Sequence, residues 1–255
     1  MSWQVYDYYL FALAALLGTF AAAIVLVWLL EQRRWAPRVS RLSGVVPPFI
    51  NVLGVLFGLT LAFLANDTWN AHDRALSAVD READALRAIV ILASHLPDTE
   101  SARVKSAVTT YARAAISEWP LLSQRESSAQ AAAAADNLLA VVSEPHLQAA
   151  NGSAVSGQEI ALAIAVRDGR ETRLALSQTH VNPLKWTGMA VLGFLTMISV
   201  AVVHIGSPAA MRLAVAIFAL ASAPTAVIVL VHGNPFQNPA AVKPTPLADV
   251  ITAPR

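Results

Sequence analysis

The chain has no cysteine among its 255 residues. That excludes a disulfide framework and a thiolate metal site. Charge is also scarce. Asp, Glu, Lys and Arg make up 14% of the sequence, where a soluble domain carries about a quarter. The formal net charge is +1, so the basic excess of a nucleic-acid binder is missing. Six histidines, at 72, 95, 146, 180, 204 and 232, are scattered without a paired ligand spacing. There is no His-Glu-x-x-His and no Walker or Rossmann glycine pattern. No serine or aspartate stands in a nucleophile context. An enzyme is therefore not expected, nor a metal or cofactor site. The period-two alternation of strands is absent, and so is any internal repeat.

What the chain has is apolar length. Hydrophobic residues make up 56%, and the mean hydropathy is +0.52. Four windows are free of Lys, Arg, Asp and Glu: Tyr8–Leu30, Val45–Ala65, Trp186–Ile205 and Leu213–Val231. As helices they would extend roughly 28–34 Å, enough to cross a hydrocarbon core of about 30 Å. The fourth is interrupted by Ser222 and Pro224; a membrane helix tolerates such a proline because neighbours re-satisfy the freed carbonyl. The first lacks the basic n-region of a signal peptide and is longer than its apolar core. Trp3, Tyr6, Tyr8 and Tyr9 stand at its near end, and Trp28 and Trp35 at its far end, as interfacial aromatics do.

The expected fold is all-α and membrane-embedded, with four transmembrane helices in two pairs. Its divisions are 1–65 for the first two spans, 66–182 for a helical extramembrane domain, 183–232 for the last two spans, and 233–255 for an irregular proline-rich tail. Residues 66–182 hold 14 acidic and 10 basic side chains, a net negative balance. Apolar spacings of three and four predict helices over Trp69–His95, from Asp98 or Thr99 as cap to Pro120, and over Gln158–Gln178, and alanine-rich propensity predicts one over Ala129–Val142. Residues 121–127 read as a polar linker and Glu144–Gly157 as a loop. Asp80-Arg81-Glu82-Ala83-Asp84 reads as a solvated helix face.

The most informative stretch begins at Pro47. No proline lies between Phe49 and His95, and no glycine after Gly58. A span therefore continues as one helix of about 47 residues. Gly54 and Gly58 form a small-xxx-small pair, which suits close helix packing. Asn51, Val55, Leu59 and Ala62 share one face. In a bundle that face is packing; in a pore it gives a polar mouth followed by an apolar constriction that gates by dewetting. At the exit stand Trp69, Asn70, His72 and Asp73. Trp69 is sufficiently explained as an interfacial anchor. His72 beside Asp73 is either a proton-sensitive pair or an incidental surface histidine.

From Phe57-Gly58 through Trp69-Asn70-x-His72-Asp73, the chain resembles the bestrophins. Asn234-Pro235-Phe236 is similar to the Asn-Pro-Phe that follows the last span in that family. Most of the chain is still more similar to the bacterial bestrophin-like domain family. That likeness runs through Gly58-Leu-Thr-Leu-Ala-Phe, Val79-Asp-Arg-Glu-Ala-Asp-Ala-Leu and Tyr111-Ala-Arg. The resemblance implies a homo-oligomer, such as a pentamer, in the bacterial inner membrane. It implies conduction of inorganic anions such as chloride, with the second span lining a central pore at Asn51, Val55, Gly58, Leu59 and Ala62. Lipid and other copies of itself are the expected partners, not nucleic acid. The acidic calcium-binding run of animal bestrophins is replaced by Gln237-Asn238-Pro239-Ala240, so calcium control is not expected. Side of the membrane is a conflict. Arg33, Arg34, Arg38 and Arg41 put residues 31–44 in the cytoplasm and the helical domain outside. The resemblance puts that domain in the cytoplasm. The alternative function is a non-conducting scaffold or sensor whose helical domain binds a protein.

Overall fold

The structure is a computed structural model, and it describes residues 7–32, 36–40, 46–178 and 183–252. All regular structure among these residues is helical: α1 (Asp7–Glu31), α2 (Ala36–Ser40), α3 (Pro47–Ala93), α4 (Asp98–Ser117), α5 (Trp119–Ser123), α6 (Ala129–Val142), α7 (Pro145–Asn151), α8 (Ser153–Ser177), α9 (Pro183–Val203), α10 (Pro208–Val231) and α11 (Thr245–Thr252). The described residues form two compact units. One takes its residues from 7–69 and 183–233, the other from 70–178 and 234–252.

In the first unit α1, α9, α10 and the start of α3 are long and apolar enough to cross a membrane. α1 lies on α10 and α9 through Ala23, Leu26 and Leu30, which meet Met197, Met211 and Val215. α3 joins through Phe57, Leu61 and Leu64, which meet Met189, Ala226 and Val229. The opposite sides of these helices stay apolar and uncovered, as at Leu17, Ile24, Phe63, Leu184 and Leu213. Apolar exposure on this scale suits hydrocarbon rather than water. α10 begins earlier than the apolar run suggests. Pro208 opens it, where its missing N–H costs nothing, so Arg212 lies inside the helix and reaches Glu31 at 2.9 Å. Arg33, Arg34 and Arg41 of the expected basic cluster lie outside the described residues, as do Trp3, Tyr6 and Trp35; Arg38 is on α2.

The second unit packs the later turns of α3 against α4, α6, α8 and the tail. Its core includes Val79, Leu86, Val108, Tyr111, Leu138 and Val166. Several expectations fail here for identifiable reasons. Neither Asp98 nor Thr99 caps α4. Pro97 is its N-cap, and Asp98 and Glu100 lie in its first turn, where carboxylates favour the helix dipole. Residues 121–127 are a polar linker only from Gln124 onward. Pro120 opens α5 rather than ending a helix, and Leu122 is fully buried. Glu144–Gly157 is not a loop, since Pro145 opens α7 in the same way. The break comes only at Gly152, whose φ of +76° is glycine's territory. The tail is not wholly irregular either. It contains α11, with Leu247 in the core.

Candidate functional site

Two groups of residues carry chemistry, one in each unit. In the first, the stripe on α3 has a clear placement. Phe57, Leu61 and Leu64 fix which face turns inward. At about 100° per residue, Val55 lies about 160° round the helix from Phe57. Asn51, Val55, Gly58, Leu59 and Ala62 are accordingly all exposed on the protomer. Gly54 is half-buried, yet a Cβ built on Gly54 or Gly58 meets nothing within 4 Å. The pair therefore packs on no helix among the described residues of its own chain. Gly193 is the glycine used for close approach: its Cβ would come within 2.9 Å of the Phe57 ring. Where α3 leaves the apolar zone, Asp67 accepts a bond from Lys185 at 2.7 Å, and Trp69 is 59% exposed.

The other exit residues belong to the second unit. Asn70 and Asp73 are exposed, and His72 is half-buried. No hydrogen bond or ion pair joins His72 to Asp73. His72 instead lines a cavity of about 470 Å³ with Leu76, Asp80 and tail residues from Pro239 to Pro246.

The stretch Asp80–Asp84 departs most from its sequence reading. Glu82 and Ala83 are fully buried. The Arg173 guanidinium grips the Glu82 carboxylate with two bonds, Nε to Oε2 at 2.7 Å and Nη2 to Oε1 at 3.0 Å. The Tyr111 hydroxyl donates to Oε1 at 2.7 Å. A second pair stands beside the first. Arg170 binds both oxygens of Glu118, at 3.1 and 2.6 Å, and the carbonyl of Ser128 at 3.1 Å. Glu118 also receives the Ser128 N–H at 2.8 Å. Arg173 Nη1 lies 3.7 Å from Glu118 and completes no hydrogen bond. Two carboxylates and two guanidiniums thus cancel where only Arg170 keeps a little exposure to water, which is the condition for burying charge at all.

Each carrier is positioned by a specific local feature. Arg170 and Arg173 are three residues apart and share a face of α8. α8 lies close to α3 because Gly169 has no side chain: a Cβ there would stand 3.0 Å from the Cβ of Glu82 and 3.3 Å from the Ala78 carbonyl. Burial pushes the Tyr111 hydroxyl well above its ordinary value, and the Glu82 charge adds to it, so it stays a donor. Burial alone would lower Arg173, but Glu82, with Tyr111 and Glu118 adding to it, holds it raised.

The tail motif plugs into this centre. The Arg173 guanidinium carbon sits 4.9 Å from the centre of the Trp119 ring. Phe236 meets that ring edge-on at 5.6 Å. The Trp119 indole donates to the Val242 carbonyl at 2.7 Å. Asn234, Pro235 and Phe236 are all buried. Asn234 accepts the Phe236 N–H at 2.9 Å and donates to the Leu122 carbonyl at 3.3 Å. The Asn238–Pro239 peptide is cis.

Comparison with known proteins follows the same line. The family model of the bestrophin-like domain matches residues 17–247. Two crystal structures, each of a membrane protein carrying a proline-to-alanine substitution, are similar in fold. One superposes with a TM-score of 0.66 at 13% identity, covering 94% of this chain and 95% of that one. The other gives 0.65 at 14% identity with the same coverage. At such identities the likeness is one of fold. Among curated proteins, none matches this sequence.

Proposed function

This chain belongs to the bestrophin-like domain family, and on that premise we propose that it is a homo-oligomeric channel of the bacterial inner membrane that passes small anions. In this reading four spans form two pairs, and a helical domain lies between the second and third. The single observation that supports it is the uncovered face of α3. One side of that helix is committed to α9 and α10, while Asn51, Val55, Leu59 and Ala62 are exposed, with no cover among the described residues of the protomer. Placed around a symmetry axis, Asn51 gives a polar mouth, and Val55 and Leu59 give a dry ring that opens by wetting. Helices beginning at Pro47 would turn positive partial charge toward an entering anion.

The test uses the absence of native cysteine. Purified protein in planar bilayers should carry anion current, and Val55→Cys should make that current sensitive to a thiol reagent. Intact oligomers without current above background would overturn the proposal. A non-conducting scaffold is the second reading. It is favoured by the open Gly54/Gly58 surface, which suits a second copy packed so tightly that no passage remains. Sidedness has its own test. Ala149→Cys is exposed on the helical domain, and its labelling by an impermeant reagent in intact cells distinguishes the periplasmic side, favoured by the arginines, from the cytoplasmic side, favoured by the family.

A further inference from the structure

The four apolar helices do not close on one another at mid-depth. A cavity of about 280 Å³ lies among them, walled by α1, α3, α9 and α10. From α1 it receives only small side chains, including Ala14, Gly18 and Ala22. A Cβ added at Gly18 would meet nothing within 4 Å. The facing wall is aromatic. Phe57 and Phe218 stand 5.7 Å apart, and Gly193 lets α9 press on Phe57.

Three observations say what kind of guest this space takes. First, no charged residue among those described lines it, and the hydroxyls of Thr19 and Ser222 are already used: Thr19 donates to the Ala15 carbonyl and Ser222 to the Phe218 carbonyl. A bound water needs two to four polar partners, and apolar cavities of about 150 Å³ stay dry and accept apolar guests. Second, the lining falls at the centre of every span. Gly18 is near the middle of Asp7–Glu31, Gly193 of Pro183–Val203, and Phe218 of Pro208–Val231. Third, the cavity opens to the outside over part of its surface, and Phe194, which lines it, is itself apolar and exposed. At that depth the surrounding phase is hydrocarbon.

We propose that this cavity is an intercalation site for the acyl tail of a membrane lipid, which enters between the spans at mid-bilayer. The site is separate from the candidate pore face, and it stands whether or not the protein conducts. The test is photolabelling of the full chain in nanodiscs of phosphatidylglycerol and phosphatidylcholine, doped with a phospholipid carrying a mid-chain diazirine. Adducts should concentrate on 14–22 and 218–226, above the level at Ile24, which is 70% exposed on the outer face of α1. Gly18→Leu and Ser222→Leu each fill the space from a different helix. Either should abolish the excess while leaving labelling at Ile24 unchanged. Labelling of the lining no higher than at Ile24 in the unmodified protein would overturn the proposal. So would an excess that survives both filling variants in folded protein.

Discussion

Glu82 accepts two bonds from Arg173 and one from Tyr111, and none of its surface reaches water. Removing one partner of such a pair strands the other charge, at about 3–5 kcal/mol. Glu82→Gln should therefore destabilise the protein by that order in chemical denaturation of the purified chain. The triple variant Glu82→Leu/Arg173→Met/Tyr111→Phe should recover most of the loss, because it also removes the hydroxyl that would otherwise lose its acceptor. Gly169→Ala gains helix propensity of about 1 kcal/mol but presses on a Glu82 that cannot retreat. It should come out net destabilising by about 1–2 kcal/mol, within the usual range for overpacking. Glu159 is a different case. It is fully buried, Oε2 accepts from the Asn151 amide, and Oε1 has no partner among the described residues. Burial raises its pKa, and the Asn151 bond only partly offsets this. Its folded value thus lies above its unfolded one. The associated stability is full in acid below the unfolded value of about 4.3 and is lost as pH rises through the raised value. Melting followed across that range should show Glu159→Gln gaining on the parent as pH increases. A curve parallel to the parent's would refute this. None of these roles was legible in the sequence. Asp80–Asp84 is charge-rich, and only α8 crossing at Gly169 decides that Glu82 turns inward while Asp80 and Asp84 stay exposed.

The helices were legible where apolar periodicity ran long. α3 and α6 could be bounded almost to the residue, because no breaker interrupts the first and alanine fills the second. Prolines misled at the short elements. Pro120 and Pro145 look like stops, yet each opens a helix, since the first turn needs no N–H from them. α11 was hidden by its flanking prolines, and its evidence is tertiary: Leu247 is buried, and Arg87 donates to the Pro246 carbonyl at 3.2 Å. The tail should therefore contribute real stability. Phe236→Ala, which empties a buried aromatic site, should cost about 3–5 kcal/mol in the same denaturation measurement.

For the molecule as a whole, membrane character and the second-span motif were readable from composition and run length. The family followed from short motifs spread over most of the chain. What composition could not supply is which side of α3 is spoken for within the protomer. That needed Phe57 and Leu64 placed against α9 and α10. It leaves an apolar face for other copies or lipid. Because the parent has no cysteine, a single Val55→Cys chain should give a disulfide-linked dimer under mild oxidation if that face meets its symmetry mates. Exclusively monomeric product from intact oligomers would place the face toward lipid instead.

Trp119 has one further use. Its indole is pinned by a cation on one side, a ring edge on another and a carbonyl at its nitrogen. An indole held this way sits in a rigid chiral setting, which near-ultraviolet circular dichroism reads and which vanishes when side-chain packing loosens. The chain therefore carries its own optical gauge of tail docking. Subtracting the spectrum of Trp119→Phe isolates that band from the other five tryptophans, and its loss on any treatment dates the moment the tail lets go.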